Sequence, residues 1–128
     1  MAFAFVFPGQ GSQSVGMMNA YGDSPVVRGT FDEASATLGQ DLWQLVAEGP
    51  VELLAQTVNT QPLMLTAGVA AYRLWLEKGG KFPAFVAGHS LGEYSALVAA
   101  GVIAFQDAVP LVRLRASAMQ EAVPVGAG

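Results

Sequence analysis

The sequence of 128 residues predicts an α/β fold with a parallel sheet. Two continuous apolar runs, Phe3 to Phe7 and Ala84 to Gly88, indicate strands buried on both faces. Long segments with helical spacing separate them, and strands joined in this way usually pair in parallel. A parallel sheet normally has several strands, so the sheet formed by these two runs is expected to be incomplete.

Composition and charge exclude several classes of function. Hydrophobic residues make up 52% of the chain and charged residues 12%, with a net charge of -4 and no basic run. Nucleic acid is therefore not an expected partner. The absence of cysteine excludes disulfides and thiolate metal sites, and no metal site is predicted. The N-terminal segment has no basic stretch and only a short apolar run, which predicts a cytoplasmic protein without a signal peptide.

Helix start and stop signals divide the rest of the chain. Ser24-Pro25 begins a helix that continues to Leu38 and ends at Gly39. Short helical pieces are expected over residues 41 to 60, with a break at Gly49-Pro50. Two further helices are expected beyond the second strand. They run from Leu91 to Ala100 with Gly101 as the stop, and from a cap at Asp107 to Ala122 with Pro110 in the first turn.

A nearly all-apolar helix is predicted from Gln61-Pro62 to Lys78. Its length approaches that of a membrane span, but Thr66, Gly68 and Arg73 interrupt it and no aromatic and basic flanks frame it. A helix buried in a protein core is the better interpretation, and no membrane is expected as a partner. With so few strands in the sheet, we expect Val69, Leu74 and Trp75 on this helix to remain poorly covered.

The segment Gly88-His89-Ser90-Leu91-Gly92 matches the Gly-x-Ser-x-Gly nucleophile elbow between a strand and a helix. In such an elbow the serine hydroxyl is exposed on a strained turn, and the N–H of the next residue, Leu91, points at the oxyanion of an attacked carbonyl. The alternative is that Ser90 is only the N-cap of the following helix. The motif by itself leaves both interpretations open.

The loop "PGQGSQ", Pro8 to Gln13, follows the first strand and should lie at the same sheet edge as Ser90. A dinucleotide site is the weaker interpretation, because Ser14 occupies the place of the third glycine and the loop has no phosphate-binding lysine. As an oxyanion loop, it would bring the backbone N–H of Gln10 towards that of Leu91.

Four segments in chain order resemble the malonyl-CoA:acyl carrier protein transacylase family of fatty acid synthesis, and more distantly polyketide synthase acyltransferase domains. They are "FVFPGQGSQ", "TQP" (Thr60 to Pro62), "GHSLGEYSAL" and "RLRASAMQEAVP" (Arg113 to Pro124). The resemblance implies transfer of malonyl from coenzyme A to the phosphopantetheine thiol of acyl carrier protein through a malonyl-serine ester. Ser90 is then the nucleophile, Gln10 and Leu91 supply the oxyanion amides, and Arg115 holds the malonyl carboxylate. No cofactor is implied beyond the substrate malonyl-CoA.

The same resemblance implies that residues 1–128 are the N-terminal portion of an α/β-hydrolase-like acyltransferase domain. The catalytic histidine and the small ferredoxin-like subdomain of the family are expected beyond Gly128. His89, the one histidine here, is badly placed to take the Ser90 proton, because successive side chains diverge at a sharp turn. It is expected to line the substrate pocket, and the 128-residue chain alone is expected to be inactive.

The two arginines of the last segment are two residues apart and hence on different helix faces. Arg115 shares a face with Leu111, Val112, Ala118 and Met119, so we expect it to be buried and to need an anion. A substrate carboxylate suits a planar guanidinium. The alternative is that Arg115 extends its charged end to solvent or pairs with an acid of the protein. Arg113 is expected to be solvated.

Two other classes of function stay open. A serine hydrolase or esterase would share the elbow but release the acyl group to water. A non-catalytic fragment would use Ser90 as a helix cap alone.

Overall fold

The computed structural model describes residues 3–122; Val123 and Pro124, the last residues of the fourth motif segment, lie outside this range. The elements are β1 (Ala4–Phe7), a short 3-10 helix (Asn19–Tyr21), α1 (Pro25–Leu38), α2 (Leu42–Glu48), α3 (Val51–Leu54), α4 (Thr57–Glu77), β2 (Phe85–Gly88), α5 (Leu91–Ala99) and α6 (Phe105–Ala122).

The two strands pair in parallel, in register from Ala4 opposite Phe85 to Phe7 opposite Gly88. The predicted α/β class and parallel sheet are confirmed. The expectation that the strands are buried on both faces is wrong for the described residues, because Val6 is 70% exposed. Successive strand side chains point to opposite faces, and only the face that carries Phe7 is covered, by α4 and α5.

The first helix has the predicted ends. The Ser24 hydroxyl accepts a hydrogen bond from the Val27 N–H at the start of α1, and Gly39 takes a left-handed conformation at its end. The short helical pieces predicted for residues 41 to 60 are also confirmed as α2 and α3, which separate at Gly49 and Pro50.

Two helices begin earlier than their sequence signals indicate. α4 begins at Thr57 and not at Gln61, and α6 begins at Phe105 and not at Asp107, so that Pro62 and Pro110 lie inside the helices. A proline inside a helix removes one backbone hydrogen bond. In α4, burial of almost the whole first half of the helix against α1 and α6 outweighs that loss.

α4 is the centre of the core and packs against α1, α5 and α6. The expectation of poor cover is wrong for Val69, which is buried in the core around α4. Leu74 is partly buried, and Trp75 is 40% exposed, as expected. Between residues 3 and 122 the structure has no helix with the length and apolar character of a bilayer span. The packing brings the carboxyl ends of β1 and β2, the start of α5 and one side of α6 together, and the predicted site residues lie there.

Candidate active site

The turn between β2 and α5 has a strained backbone at Ser90. Its φ of 56° and ψ of -117° make Ser90 the one non-glycine residue with a positive φ among residues 3–122. Such a conformation costs on the order of 1–3 kcal/mol and persists only where the surrounding structure imposes it. Ser90 occupies the N-cap position of α5, but its side chain makes no capping hydrogen bond. Ser90 is exposed, and its hydroxyl accepts a hydrogen bond from a side chain of α6.

Close backbone packing imposes this turn and explains the spacing of its glycines. A Cβ atom on Gly88 would lie 2.1 Å from the carbonyl carbon of Gly92. A Cβ atom on Gly92 would lie 2.3 Å from the carbonyl oxygen of Phe7, at the end of β1. Neither position has room for a side chain, so β1, β2 and α5 can meet at Ser90 only when both residues are glycine.

The loop after β1 lies against the turn, as predicted from the parallel sheet. A Cβ atom on Gly9 would be 3.1 Å from the His89 carbonyl oxygen and 3.9 Å from the Leu91 nitrogen. The Gln10 side chain donates to Thr57 Oγ1 at 3.0 Å, which attaches the loop to the start of α4. No acceptor among residues 3–122 takes the backbone N–H of Gln10 or of Leu91. The loop therefore brings the unoccupied N–H of Gln10 to the turn, where the N–H of Leu91 is also unoccupied.

Arg115 on α6 reaches the turn directly. Its Nη2 donates to Ser90 Oγ at 2.9 Å, and its Nη1 donates to Gln61 Oε1 at 2.6 Å. The guanidinium carbon also lies 5.4 Å from the centroid of the Tyr94 ring. All three partners are neutral. The positive charge of Arg115 thus lies beside the serine hydroxyl, and no acid among the described residues pairs with it.

Two expectations for α6 are wrong. Arg115 is half-buried and not enclosed by an apolar face, because Leu111 and Met119 are exposed. Arg113 is not solvated: it donates to Gln40 Oε1, its Nε has no partner within residues 3–122, and burial lowers the pKa of its guanidinium. The reason is that α6 packs on α1 and α4, so the side of the helix that carries Arg113 is partly covered.

His89 is exposed beside Ser90, and no hydrogen bond within residues 3–122 joins its ring to the Ser90 hydroxyl. The described residues thus offer no base for the serine proton. They also contain no cluster of acids and histidine suited to a metal ion.

The sequence interpretation missed two residues of the site, Gln61 and Tyr94. Gln61 lies in "TQP" and Tyr94 in "GHSLGEYSAL", but the sequence analysis predicted no contact of either residue with Arg115. The signal available in the sequence was an amide at the predicted start of a nearly all-apolar helix. The structure buries Gln61 completely, and a buried polar group requires a hydrogen-bond partner. The identity of that partner, 54 positions away, depends on how α4 and α6 pack.

Comparison with known proteins gives concordant results. The family described as "Acyl transferase domain" matches residues 4–128. The malonyl CoA-acyl carrier protein transacylase of Escherichia coli strain K12 is 64% identical over 127 residues, a match that covers 98% of this chain and 41% of that protein. The chain thus spans about two fifths of the length of this curated relative.

Solved structures agree in fold. An acyl-carrier-protein S-malonyltransferase from Burkholderia pseudomallei 1710b has a TM-score of 0.95 and 68% identity, over 98% of this chain and 41% of that one. A malonyl-transacylase solved in complex with the acyl carrier protein of a type II PKS has a TM-score of 0.93 and 60% identity, over 97% and 40%.

Proposed function

The chain belongs to the acyl transferase domain family, and we propose that the protein containing it transfers malonyl from coenzyme A to acyl carrier protein through an ester on Ser90. Residues 1–128 are then the N-terminal portion of the acyltransferase domain. The observation that carries the proposal is the Arg115 guanidinium, whose Nη2 lies 2.9 Å from Ser90 Oγ. A hydroxyl on a strained turn next to an unpaired cation suits an acyl group that itself carries a carboxylate.

Ser90 acts as the nucleophile in this proposal. Its Oγ attacks the thioester carbonyl carbon, a C–O bond forms, and the C–S bond to coenzyme A breaks. The departing thiolate takes up the proton that the base has removed from Ser90. The thiol of the carrier's phosphopantetheine then attacks the ester carbonyl carbon, a C–S bond forms, the ester C–O bond breaks, and the thiol proton passes by way of the base to Ser90. The backbone N–H groups of Gln10 and Leu91 stabilise the oxyanion of each tetrahedral intermediate, and their lack of other acceptors supports this role.

Arg115 holds the malonyl carboxylate. A guanidinium has five N–H donors, and Gln61 and Ser90 occupy two of them, so a bidentate contact with a carboxylate is available. His89 lines the mouth of the substrate site. The resemblance implies that the base for the Ser90 proton comes from beyond Gly128, and the reaction requires no cofactor. A cytoplasmic location remains a prediction.

The test is an assay of the full-length protein with malonyl-CoA and acyl carrier protein, in which carrier-bound and free malonate are measured separately. We expect transfer to the carrier, and its loss in Ser90→Ala. Ser95→Ala is the matched control, since Ser95 lies on the same helix and its buried hydroxyl has no partner within residues 3–122. Release of malonate to water without transfer would indicate a hydrolase, and an active Ser90→Ala variant would remove Ser90 from the mechanism.

A further inference from the structure

Gln61 is a fully buried amide in the middle of the molecule. It lies on α4 with no solvent exposure, and both the oxygen and the nitrogen of its amide group contact α6. Its Oε1 accepts from Arg115 Nη1 at 2.6 Å, and its Nε2 donates to Met119 Sδ at 3.3 Å. Because a guanidinium has only donors, the amide must present its oxygen to Arg115. Gln61 therefore holds one amino group of the guanidinium, and Ser90 accepts from the other.

Gln61 is a neutral partner for Arg115, and this lack of charge determines what the guanidinium can bind. A buried arginine is usually paired with an acid, and an acid here would neutralise the guanidinium within the protein. Gln61 supplies the same hydrogen bond without a charge. Tyr94 and Ser90, the other neighbours of Arg115, are also neutral, and the ion pair found within residues 3–122 joins Arg73 to Glu33 instead. The charge of Arg115 thus stays available for an anionic ligand.

We propose that Gln61 is a positioning residue that sets the preference for a carboxylated acyl group. It fixes the guanidinium of Arg115 in place and, as a neutral acceptor, leaves the positive charge for the substrate carboxylate. The inference rests on the proposed malonyl transfer and deepens it. The motif "TQP", which the proposed mechanism does not otherwise use, acquires a role through its glutamine.

The proposal makes different predictions for two substitutions of similar size. In Gln61→Glu, a carboxylate would pair with Arg115 and compete with the substrate. In Gln61→Met, the acceptor is lost but the arginine keeps its charge. Gln106→Glu is the matched control, because it adds the same charge to α6 at an exposed position in the first turn, far from Arg115.

The experiment measures kcat and KM for acylation of the full-length protein by malonyl-CoA and by acetyl-CoA. For Gln61→Glu we expect malonyl kcat/KM to fall by about tenfold or more relative to acetyl kcat/KM, mainly through KM, since hydrogen bonds between charged groups are the strong ones. For Gln61→Met the malonyl preference should fall by a smaller factor. Gln106→Glu should keep the preference of the parent protein.

A purely structural role would lower both activities together, so an unchanged ratio of malonyl to acetyl in Gln61→Glu overturns the proposal. If Gln61→Glu does not fold, Gln61→Met decides by itself: a reduced ratio supports the positioning role and an unchanged ratio overturns it. A parent protein that forms no malonyl ester would overturn the proposed function and this inference together. An acylated parent whose Gln61 variants keep its preference would overturn this inference only.

Discussion

At the scale of single residues, Ser90 combines two properties that a helix cap does not need. Its backbone is held at a positive φ, and its hydroxyl accepts from Arg115 in place of capping α5. An N-cap serine would bond an N–H of the first helical turn in an extended conformation, as Ser24 does at the start of α1. The comparison of these two serines within one chain favours a chemical role for Ser90.

The guanidinium beside Ser90 predicts selectivity. In the full-length protein, Arg115→Ala should weaken malonyl transfer by about 1.5 to 3 kcal/mol, the range for a charge-assisted hydrogen bond, and should spare acetyl transfer. The loss of malonyl transfer in Arg115→Lys should be smaller than in Arg115→Ala, because an ammonium keeps the charge but lacks the planar pair of donors. Rates of ester formation with the two thioesters measure the effect.

Arg28→Ala is the control, since Arg28 is exposed on α1 and contacts the Trp43 ring. Equal losses of malonyl and acetyl transfer in Arg115→Ala would show that the arginine is structural.

The glycines of the turn predict a sharp difference in stability. Gly92→Ala would put a Cβ atom against the Phe7 carbonyl and should destabilise the protein by about 1–3 kcal/mol, as overpacking does. Gly29→Ala, on the exposed side of α1 where nothing lies within 4 Å, should stabilise it by about 0.5–1 kcal/mol. Thermal unfolding of both full-length variants measures the difference, and a fully stable Gly92→Ala protein would refute the packing explanation.

At the scale of elements, α6 uses two arginines two positions apart for different purposes. Arg115 extends to the turn at Ser90, whereas Arg113 donates to Gln40 at the link between α1 and α2. Gln40 in turn donates to Asn59 Oδ1 at 3.0 Å, and Asn59 donates to the Leu53 carbonyl at 2.9 Å. This series of hydrogen bonds between two amides and one guanidinium connects α6, the end of α1 and the start of α4.

Breaking these hydrogen bonds should lower the stability of the protein without changing its preference for malonyl over acetyl. Gln40→Leu would remove the acceptor of the Arg113 guanidinium and the donor to Asn59 Oδ1, at a cost of about 1–3 kcal/mol for partly buried groups. The free energy of unfolding of the full-length variant, measured with denaturant, should fall by that amount. Its ratio of malonyl to acetyl transfer should match the parent, and a changed ratio would mean that the two arginines are coupled.

The elements also show what could be predicted from sequence. Strand runs, the Ser24 cap and the Gly88-to-Gly92 turn are local signals, and each is found where predicted. The starts of α4 and α6 could not be predicted, because tertiary packing outweighs the local effect of Pro62 and Pro110. The contact of Arg115 with Gln61 joins distant segments, so no local pattern indicates it.

At the scale of the whole molecule, the sheet of the described chain has one covered and one open face. Val6 and Phe85 on the open face are 70% and 71% exposed, and nearby Phe82 is 78% exposed. Exposed apolar side chains on unpaired strand edges favour association with other chains. The chain also offers Ser90 no base within residues 3–122. Both features agree with the proposal that residues 1–128 are one portion of an acyltransferase domain.

Residues 1–128 expressed alone should therefore be poorly soluble or oligomeric and should show no malonyl transfer. Size-exclusion chromatography and a transfer assay, run beside the full-length protein, measure the two properties. A soluble monomer that transfers malonyl would mean that His89, directly or through water, accepts the Ser90 proton.

The most direct test of malonyl transfer through Ser90 is to locate the acyl group. The full-length protein is mixed with malonyl-CoA in the absence of carrier, digested, and its peptides are analysed by mass spectrometry. The malonyl ester should be found on the peptide that contains Ser90 and should be missing from Ser90→Ala. An ester on another residue, or one that forms equally in Ser90→Ala, would contradict the assignment of Ser90 as the nucleophile.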